Sequence, residues 1–355
     1  MKWPLVKLGK YVVLDRKSIN PDHLTEPTTY VGLENLDSDG QFLEPPVIQK
    51  GDVKSSKFRF DKRHILYGKL RPYLRKIARP NFSGICSTDI LPLICSDEMD
   101  RDYVFHFLRK KEIVDLATSR CSGANLPRIK PDILMNFQIP KPPLIEQQKI
   151  ASVLNKAYDI EINSKLSVKL RKELQESIFF EMFGDPLNPV KWETVPFVNA
   201  VKDSTRSQSK IPKKEYLEQG RLPIIDQGKK EIGGWTNDTS LACNIDLPNI
   251  IFGDHTKNLK FVDYSYALGA DGVKVLIPKD ERFNTLFLCH LLEFLPLPNV
   301  GYSRHYKFLK EFMLICPPKK LQIKYFNRVK LIMSMPDLTV MSGPYYSSIS
   351  QEVLA

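Results

Sequence analysis

Cysteine is sparse and scattered. The six residues Cys86, Cys95, Cys121, Cys243, Cys289 and Cys316 include no Cys-x-x-Cys pair. This spacing argues against a zinc site and predicts buried, reduced thiols in a cytoplasmic protein. No apolar run reaches the length of a membrane span, and the opening MKWPLVKLGKYVVLDRK lacks a signal peptide's apolar core and cleavage site. There is no Gly-x-x-x-x-Gly-Lys-Ser/Thr loop, which removes the case for a built-in motor ATPase. A glycine-rich strand-turn-helix for S-adenosylmethionine is missing, as is the Asn/Asp-Pro-Pro-aromatic tetrapeptide of adenine methyltransferases. Pro21-Asp22 followed by Asp52-Val53-Lys54 loosely imitates a nuclease metal site, but in loop-like surroundings it reads as solvated turns. His64, His255 and His305 read as surface or capping residues rather than catalytic ones. The expectation is a polypeptide that is not itself an enzyme and holds neither metal nor cofactor.

Acidic residues are outnumbered, 41 Asp and Glu against 52 Lys and Arg, for a formal charge of +11. The excess favours a polyanion such as nucleic acid, or an anionic membrane surface. The apolar fraction of 42% supports real cores, and 355 residues leave room for two domains.

Glycine and proline are absent between Leu144 and Met182, a stretch rich in Glu, Lys, Gln, Leu and Ala. Ile150, Val153, Leu154, Ala157 and Ile160 recur at three- and four-residue steps, and Leu166, Leu170, Leu174 and Ile178 continue a four-residue row. The pattern predicts an amphipathic helix that packs against another helix, opened by Pro142-Pro143 and stopped by Gly184-Asp185-Pro186. About 38 residues rising 1.5 Å each give a rod of roughly 57 Å.

The regions on either side share one plan. KWPLVKLGKYV from Lys2 faces KWETVPFVNAV from Lys191. HILYGKLRPYLRKIARPNFSGICSTDILPLI faces NIIFGDHTKNLKFVDYSYALGADGVKVLI, each an apolar strand, a glycine (Gly68, Gly253), a basic polar loop, a turn and another apolar strand. Helical stretches follow, DYVFHFLRKKEIVDLA and NTLFLCHLLEFL. Then Pro142-Pro143 and Gln147 fall opposite Pro317-Pro318 and Gln322 at one constant offset. A period of nearly half the chain is a domain duplication, not a solenoid. The expected class is α+β, with domains over 1–140 and 187–316, a spacer helix over 141–186 and a second helix over 317–355. Pro336 and Gly343-Pro344 leave that second helix shortened or altered.

These residues resemble the specificity subunit of type I restriction–modification systems. PPLIEQQKIASVLNKA followed by FFEMFGDP resembles that family's central spacer. ILYGKLRPYLRKIA…GICSTDI and IIFGDHTKNLKFVD…ALGADGVKVL resemble its two target-recognition domains. The resemblance extends to about residue 330. It implies two pseudo-repeated domains, each reading one half of a split DNA sequence and each followed by a long helix. The helices pair antiparallel as a spacer and dock two methyltransferase (modification) subunits, here through Ile150, Leu154, Leu170, Leu174 and Ile178. Restriction subunits complete the complex. S-adenosylmethionine, ATP and Mg belong to those partners, none to this chain, and no membrane is involved.

Lys57 to Arg79 holds nine basic residues (Lys57, Arg59, Lys62, Arg63, Lys69, Arg71, Arg75, Lys76 and Arg79) against one acid, Asp61. Phe58, Phe60, Tyr67 and Tyr73 are interleaved. Lysine and arginine neutralise phosphates, and arginine reads guanine bidentately. Within the run, Lys69, Arg71 and Arg75 on the loop after Gly68 are the sharpest DNA-binding candidates, with His255, Thr256 and Lys257 as their counterparts. A second set precedes each final strand: Ser122, Asn125 and Arg128, then Ser303, Arg304, His305 and Lys307. The resemblance supports this set; each residue reads equally well as a turn-forming polar group. Two other functions stay open. One is the specificity partner of a fused nuclease–methyltransferase. The other is a coiled-coil scaffold without DNA specificity, against which the duplicated basic loops argue.

Overall fold

The computed structural model describes residues 3–123, 125–269, 272–298 and 303–334. The expected α+β class is borne out. The chain divides into two compact units, and the division falls inside one long helix, after Val168.

In the first unit an antiparallel sheet runs in the order Val12–Leu14, Ile90–Cys95, His64–Gly68, Ile77–Ala78. Strand His64–Gly68 is buried along its whole length, as an apolar run between neighbours on both sides must be. A five-stranded mixed sheet, ordered Ser18–Ile19, Lys57–Phe60, Gly84–Cys86, Thr28–Val31, Val47–Ile48, lies beside it in sequence. Helix Arg101–Leu108 starts at Asp100, whose carboxylate accepts the Tyr103 N–H and satisfies an otherwise orphaned donor. The unit closes when Gln138–Pro140 pairs antiparallel with Leu5–Lys7.

The second unit repeats this frame. Its antiparallel sheet is ordered Val201–Asp203, Val273–Pro278, Asn249–Gly253, Leu259–Val262. Asn284 caps helix Thr285–Glu293, and Met313–Ile315 closes on Thr194–Pro196. Its other sheet differs, with four strands of which two neighbouring pairs run parallel. The duplication therefore holds for the frame, and the halves diverge in the added sheet.

One side chain locks each frame. The Gln147 amide is fully buried. Its Oε1 accepts the Asp100 N–H at 2.8 Å, and its Nε2 donates to the carbonyls of Pro142 at 2.9 Å and Glu98 at 3.2 Å. Gln322 does the same with the Asn284 N–H at 2.8 Å and the carbonyls of Pro317 at 2.7 Å and Arg282 at 3.0 Å. Each glutamine thus joins a helix start to the cap of an earlier helix.

The long helix spans Leu144–Phe183, 40 residues, or roughly 60 Å. Its first part belongs to the first unit. Ala151, Leu154, Ala157 and Tyr158 are buried in that core, with Ile150 packed against it. Asn155 Oδ1 accepts from Arg79 Nη1 at 2.6 Å and meets His106 Nε2 at 2.7 Å, while its Nδ2 donates to Asp102 at 2.8 Å. Tyr158 accepts from Gln41 Nε2 at 2.8 Å and donates to the Asp39 carbonyl. Lys165 pairs with the Asp39 carboxylate at 3.0 Å. The last part belongs to the second unit, where Phe179 and Phe183 pack on Phe287 and on Tyr325 of helix Lys319–Met333. Between these anchors Leu166, Val168, Leu170 and Leu174 are exposed.

Two expectations need correction. Leu154 is fully buried, so it faces no partner subunit, and Ile150 and Ile178 pack on the cores of their own units. The helix periodicity identified the apolar stripe, but much of that stripe is already covered by the domains that flank it. The interruption expected at Pro336 and Gly343-Pro344 lies outside the described residues.

Gln147→Leu should leave the Asp100 N–H and two carbonyls without partners, at about 1–3 kcal/mol for each group stranded. Urea melts should show a large loss of stability, with Gln322→Leu acting equivalently on the second unit. Ile145→Ala, on an exposed side chain, should change stability by less than about 0.5 kcal/mol. A second expectation concerns acid. Burial pushes His106 down to about 3, outweighing the Asn155 bond that favours the charged ring. The unfolded chain takes up this proton near the ordinary value of about 6.5, so the contribution is complete above that pH. It falls away as pH drops from about 6.5 toward 3. His106→Asn should be less stable than the parent at pH 7.5, yet lose less between pH 6.5 and 4 in urea midpoints followed against pH.

Candidate nucleic-acid interface

Strand His64–Gly68 delivers the chain into the basic loop. A Cβ on Gly68 would sit 3.0 Å from both the Lys76 carbonyl and Leu33, so the strand end leaves little room for a side chain. The Lys69 N–H donates to the Asp89 carbonyl at 2.9 Å, and the Lys69 carbonyl accepts the Ile129 N–H at 3.0 Å. Arg71 N–H donates to Pro127 O at 2.8 Å. Ser122 and Arg128 bridge one another, with bonds of 3.0 and 2.9 Å. The loop after Gly68 and the loop before the final strand are thereby stitched side by side. Lys69, Arg71, Ser122, Asn125 and Arg128, chosen separately in the sequence, come together.

Asp89 is the electrostatic centre of this cluster. Arg128 Nε and Nη2 donate to its two oxygens at 3.0 and 3.2 Å, and Lys69 Nζ lies 3.6 Å away. The Arg128 hydrogen bonds hold the Asp89 carboxyl below the usual carboxylate range. Two cations around one acid leave net positive charge, with Arg71 adding to it. Arg71 and Arg75 both have φ of 51°, in the left-handed region, and bracket a short turn at Pro72–Leu74. Arg75 turns away from the cluster, with Nε on Ser38 O at 3.1 Å and Nη2 3.5 Å from Asp39. It is a brace for the loop and not part of the basic face.

Much of the rest of the basic run serves the fold, while Arg59 and Lys62 are exposed. Lys57 is buried and bonds Ser55; Arg63 pairs with Asp61 at 2.7 Å; Lys76 donates to Leu33 O at 2.6 Å. Arg79 lies over the Phe105 ring and pairs with Asp102 at 2.9 Å. Phe60 and Tyr67 are core residues. The run does not form one continuous face, because its partners Asp39 and Asp102 are distant in sequence.

The second unit repeats the stitching. After Gly253, the Asp254 N–H donates to Gly272 O at 2.6 Å and the His305 N–H to Asp254 O at 2.7 Å. His255 Nδ1 lies 3.3 Å from Ser303 O, so the two loops meet again. Several candidates there are structural. His305 is buried, with Nδ1 on the Asp254 carbonyl at 3.0 Å. Thr256 Oγ1 donates to Gln227 O at 2.6 Å, and Lys257 Nζ to Leu297 O at 3.2 Å. Arg304 and Lys307 are exposed, and they remain the best cationic candidates. Asp89 and Gln227 were missed by sequence reasoning. Both act on loops far along the chain, and neither carries a local signal.

Among the described residues no three His, Cys, Asp or Glu side chains converge as metal ligands would, and no helix is long and apolar enough to cross a membrane.

Residues 9–172 match the family described as type I restriction modification DNA specificity domain. The match covers most of the first half of the chain. The type I restriction enzyme EcoDI specificity subunit of Escherichia coli is 31% identical over 144 residues, 39% of this chain and 32% of that protein. The MjaIX specificity subunit of Methanocaldococcus jannaschii is 26% identical over 150 residues, 38% of this chain and 34% of that protein. The chain thus spans about a third of the length of the curated relatives it matches. A crystal structure of the type I restriction–modification S subunit from M. genitalium shares the fold, with TM-score 0.65 and 15% identity over 100% of this chain and 95% of that one. The resemblance to specificity subunits seen in the residues is borne out. The matched segment contains the first stitched loop pair, and the second unit holds an analogous pair of loops after Gly253.

Proposed function

We propose that the chain is the DNA-reading specificity subunit of a type I restriction–modification complex, with each unit reading one half of a bipartite target. The observation that carries this reading is the duplicated loop pair. Lys69 and Asp254 occupy the same place after a strand-ending glycine, and each links the turn before one strand to the closing loop. A coiled-coil scaffold has no need of two matched presentations.

In this reading the polypeptide performs no chemistry. Methylation and cleavage belong to two modification subunits and to restriction subunits, which carry S-adenosylmethionine, ATP and Mg, and the complex works on double-stranded DNA in the cytoplasm. The exposed Leu166, Leu170 and Leu174 offer a docking stripe for a modification subunit. A helix without glycine or proline suits a spacer between two readers.

Replacing residues 1–140 by the equivalent domain of a relative, with the partner subunits supplied, should change one half of the methylated motif and leave the other intact. If methylome mapping showed both halves changing, the two-reader reading would be wrong. Arg71→Ala should weaken binding to every duplex and reduce the salt slope by about one if Arg71 contacts a phosphate. Unaltered affinity and slope would remove Arg71 from the interface.

A further inference from the structure

The first stitched loop pair carries an apolar tip that the basic residues do not explain. Tyr73 and Leu74 are 52% and 39% exposed on the turn between Arg71 and Arg75, and Leu126 is 48% exposed on the facing loop. The two loops run side by side, because Leu70 bridges Arg128 and the Arg71 N–H bonds Pro127 O. Large apolar side chains at a loop tip are costly to leave in water, and Lys69, Arg71 and Arg128 belong to the same two loops. The turn is also rigid. Pro72 fixes its first position, the Leu74 and Arg75 N–H groups bond back to Arg71 O and Pro72 O, and Arg75 is tied to Ser38 and Asp39.

We propose that Tyr73, with Leu74 and Leu126, is a specificity-determining apolar contact to the 5-methyl group of a thymine in the first half-site. This rests on the DNA-reading function proposed above. The chemistry fits one feature of duplex DNA. The major groove displays a single apolar group on base edges, the thymine methyl, and apolar side chains read it. The flanking cations meet the phosphates on either side of that groove, while the apolar tip gains only where the methyl is present. Polar side chains at the same tip would instead have matched a donor or acceptor on a base.

The test uses the full chain with its modification subunits and a duplex bearing the methylated motif identified for that complex. Each thymine of the first half-site is replaced in turn by uracil, which removes the methyl and keeps the pairing. One such replacement should weaken binding about fourfold, the effect of uncovering about one buried methyl-sized group. Tyr73→Ala should bind the unmodified duplex about as weakly as the parent binds that uracil duplex, and should not distinguish thymine from uracil there. Tyr73→Phe should keep the distinction. Uracil in the second half-site should affect the parent and Tyr73→Ala equally. Tyr73 is exposed, so loss of folding is not expected, and thermal melts confirm this directly. A first half-site without thymine, or with uracil tolerated at every position, overturns the proposal while leaving the two-reader function standing. Failure of the parent to bind any bipartite duplex overturns both.

Discussion

A buried amide that fails to bond is expensive, and both units are organised around one that bonds fully. Gln147 and Gln322 each accept one backbone N–H and donate to two carbonyls. The N–H belongs to a helix cap, Asp100 or Asn284, and one carbonyl belongs to the first of the two prolines that open the following helix. The direction in which each helix leaves its unit is therefore set by hydrogen bonds whose loss strands polar groups in the core. Closure of the first strand against the last, Leu5–Lys7 with Gln138–Pro140 and Thr194–Pro196 with Met313–Ile315, brings the chain to that point in both units. Everything the loops present rests on a frame closed in this way.

The charge of the protein is organised by the same need. A net charge of +11 suggests a broad basic surface, yet many cations near the first loop bind the protein itself. Arg79 and Arg109 lie over the rings of Phe105 and Tyr158, and Arg109 bonds the carbonyls of Ile77 and Ser38. Such arginines contribute packing and hydrogen bonds where apolar side chains would leave carbonyls unpaired. At the stitched loop pairs, Lys69 and Arg128 outnumber Asp89 in one unit, and Arg304 and Lys307 are exposed in the other.

What could be read in the sequence follows from which interactions are local. The helix was legible because helix propensity and the absence of glycine and proline act residue by residue. The duplication was legible because the frame repeats its strand, glycine and proline-proline-glutamine signals in order. The role of Gln147 was not, since its partners Glu98 and Asp100 are distant in the chain. Which cations of the basic run are paired was not legible for the same reason: Asp39, Asp89 and Asp102 decide it, and no spacing rule links them to the run. Leu154 was misassigned because periodicity marks an apolar stripe without saying what covers it. The added sheets, with their parallel pairs Tyr30↔Ile85 and Ile224↔Ala267, left no pattern distinct from ordinary short strands.

Arg71 and Arg75 show how the frame and the loop are coupled. An L-residue in the left-handed region costs about 1–2 kcal/mol, and glycine would avoid that cost. The loop keeps arginine at both places, which requires compensation. Arg75 supplies it through Ser38 and Asp39, and Asp39 also pairs with Lys165 of the long helix while its carbonyl accepts from Tyr158. The strained turn is thus braced against the same segment that anchors the helix to the first unit. A turn braced in this way is ordered before any partner arrives, so less conformational entropy is lost on binding. Glycine at either place would relax the backbone, but it would remove a cation from the tip at 71 or the brace at 75. The strain is consistent with a loop whose shape matters more than its local stability.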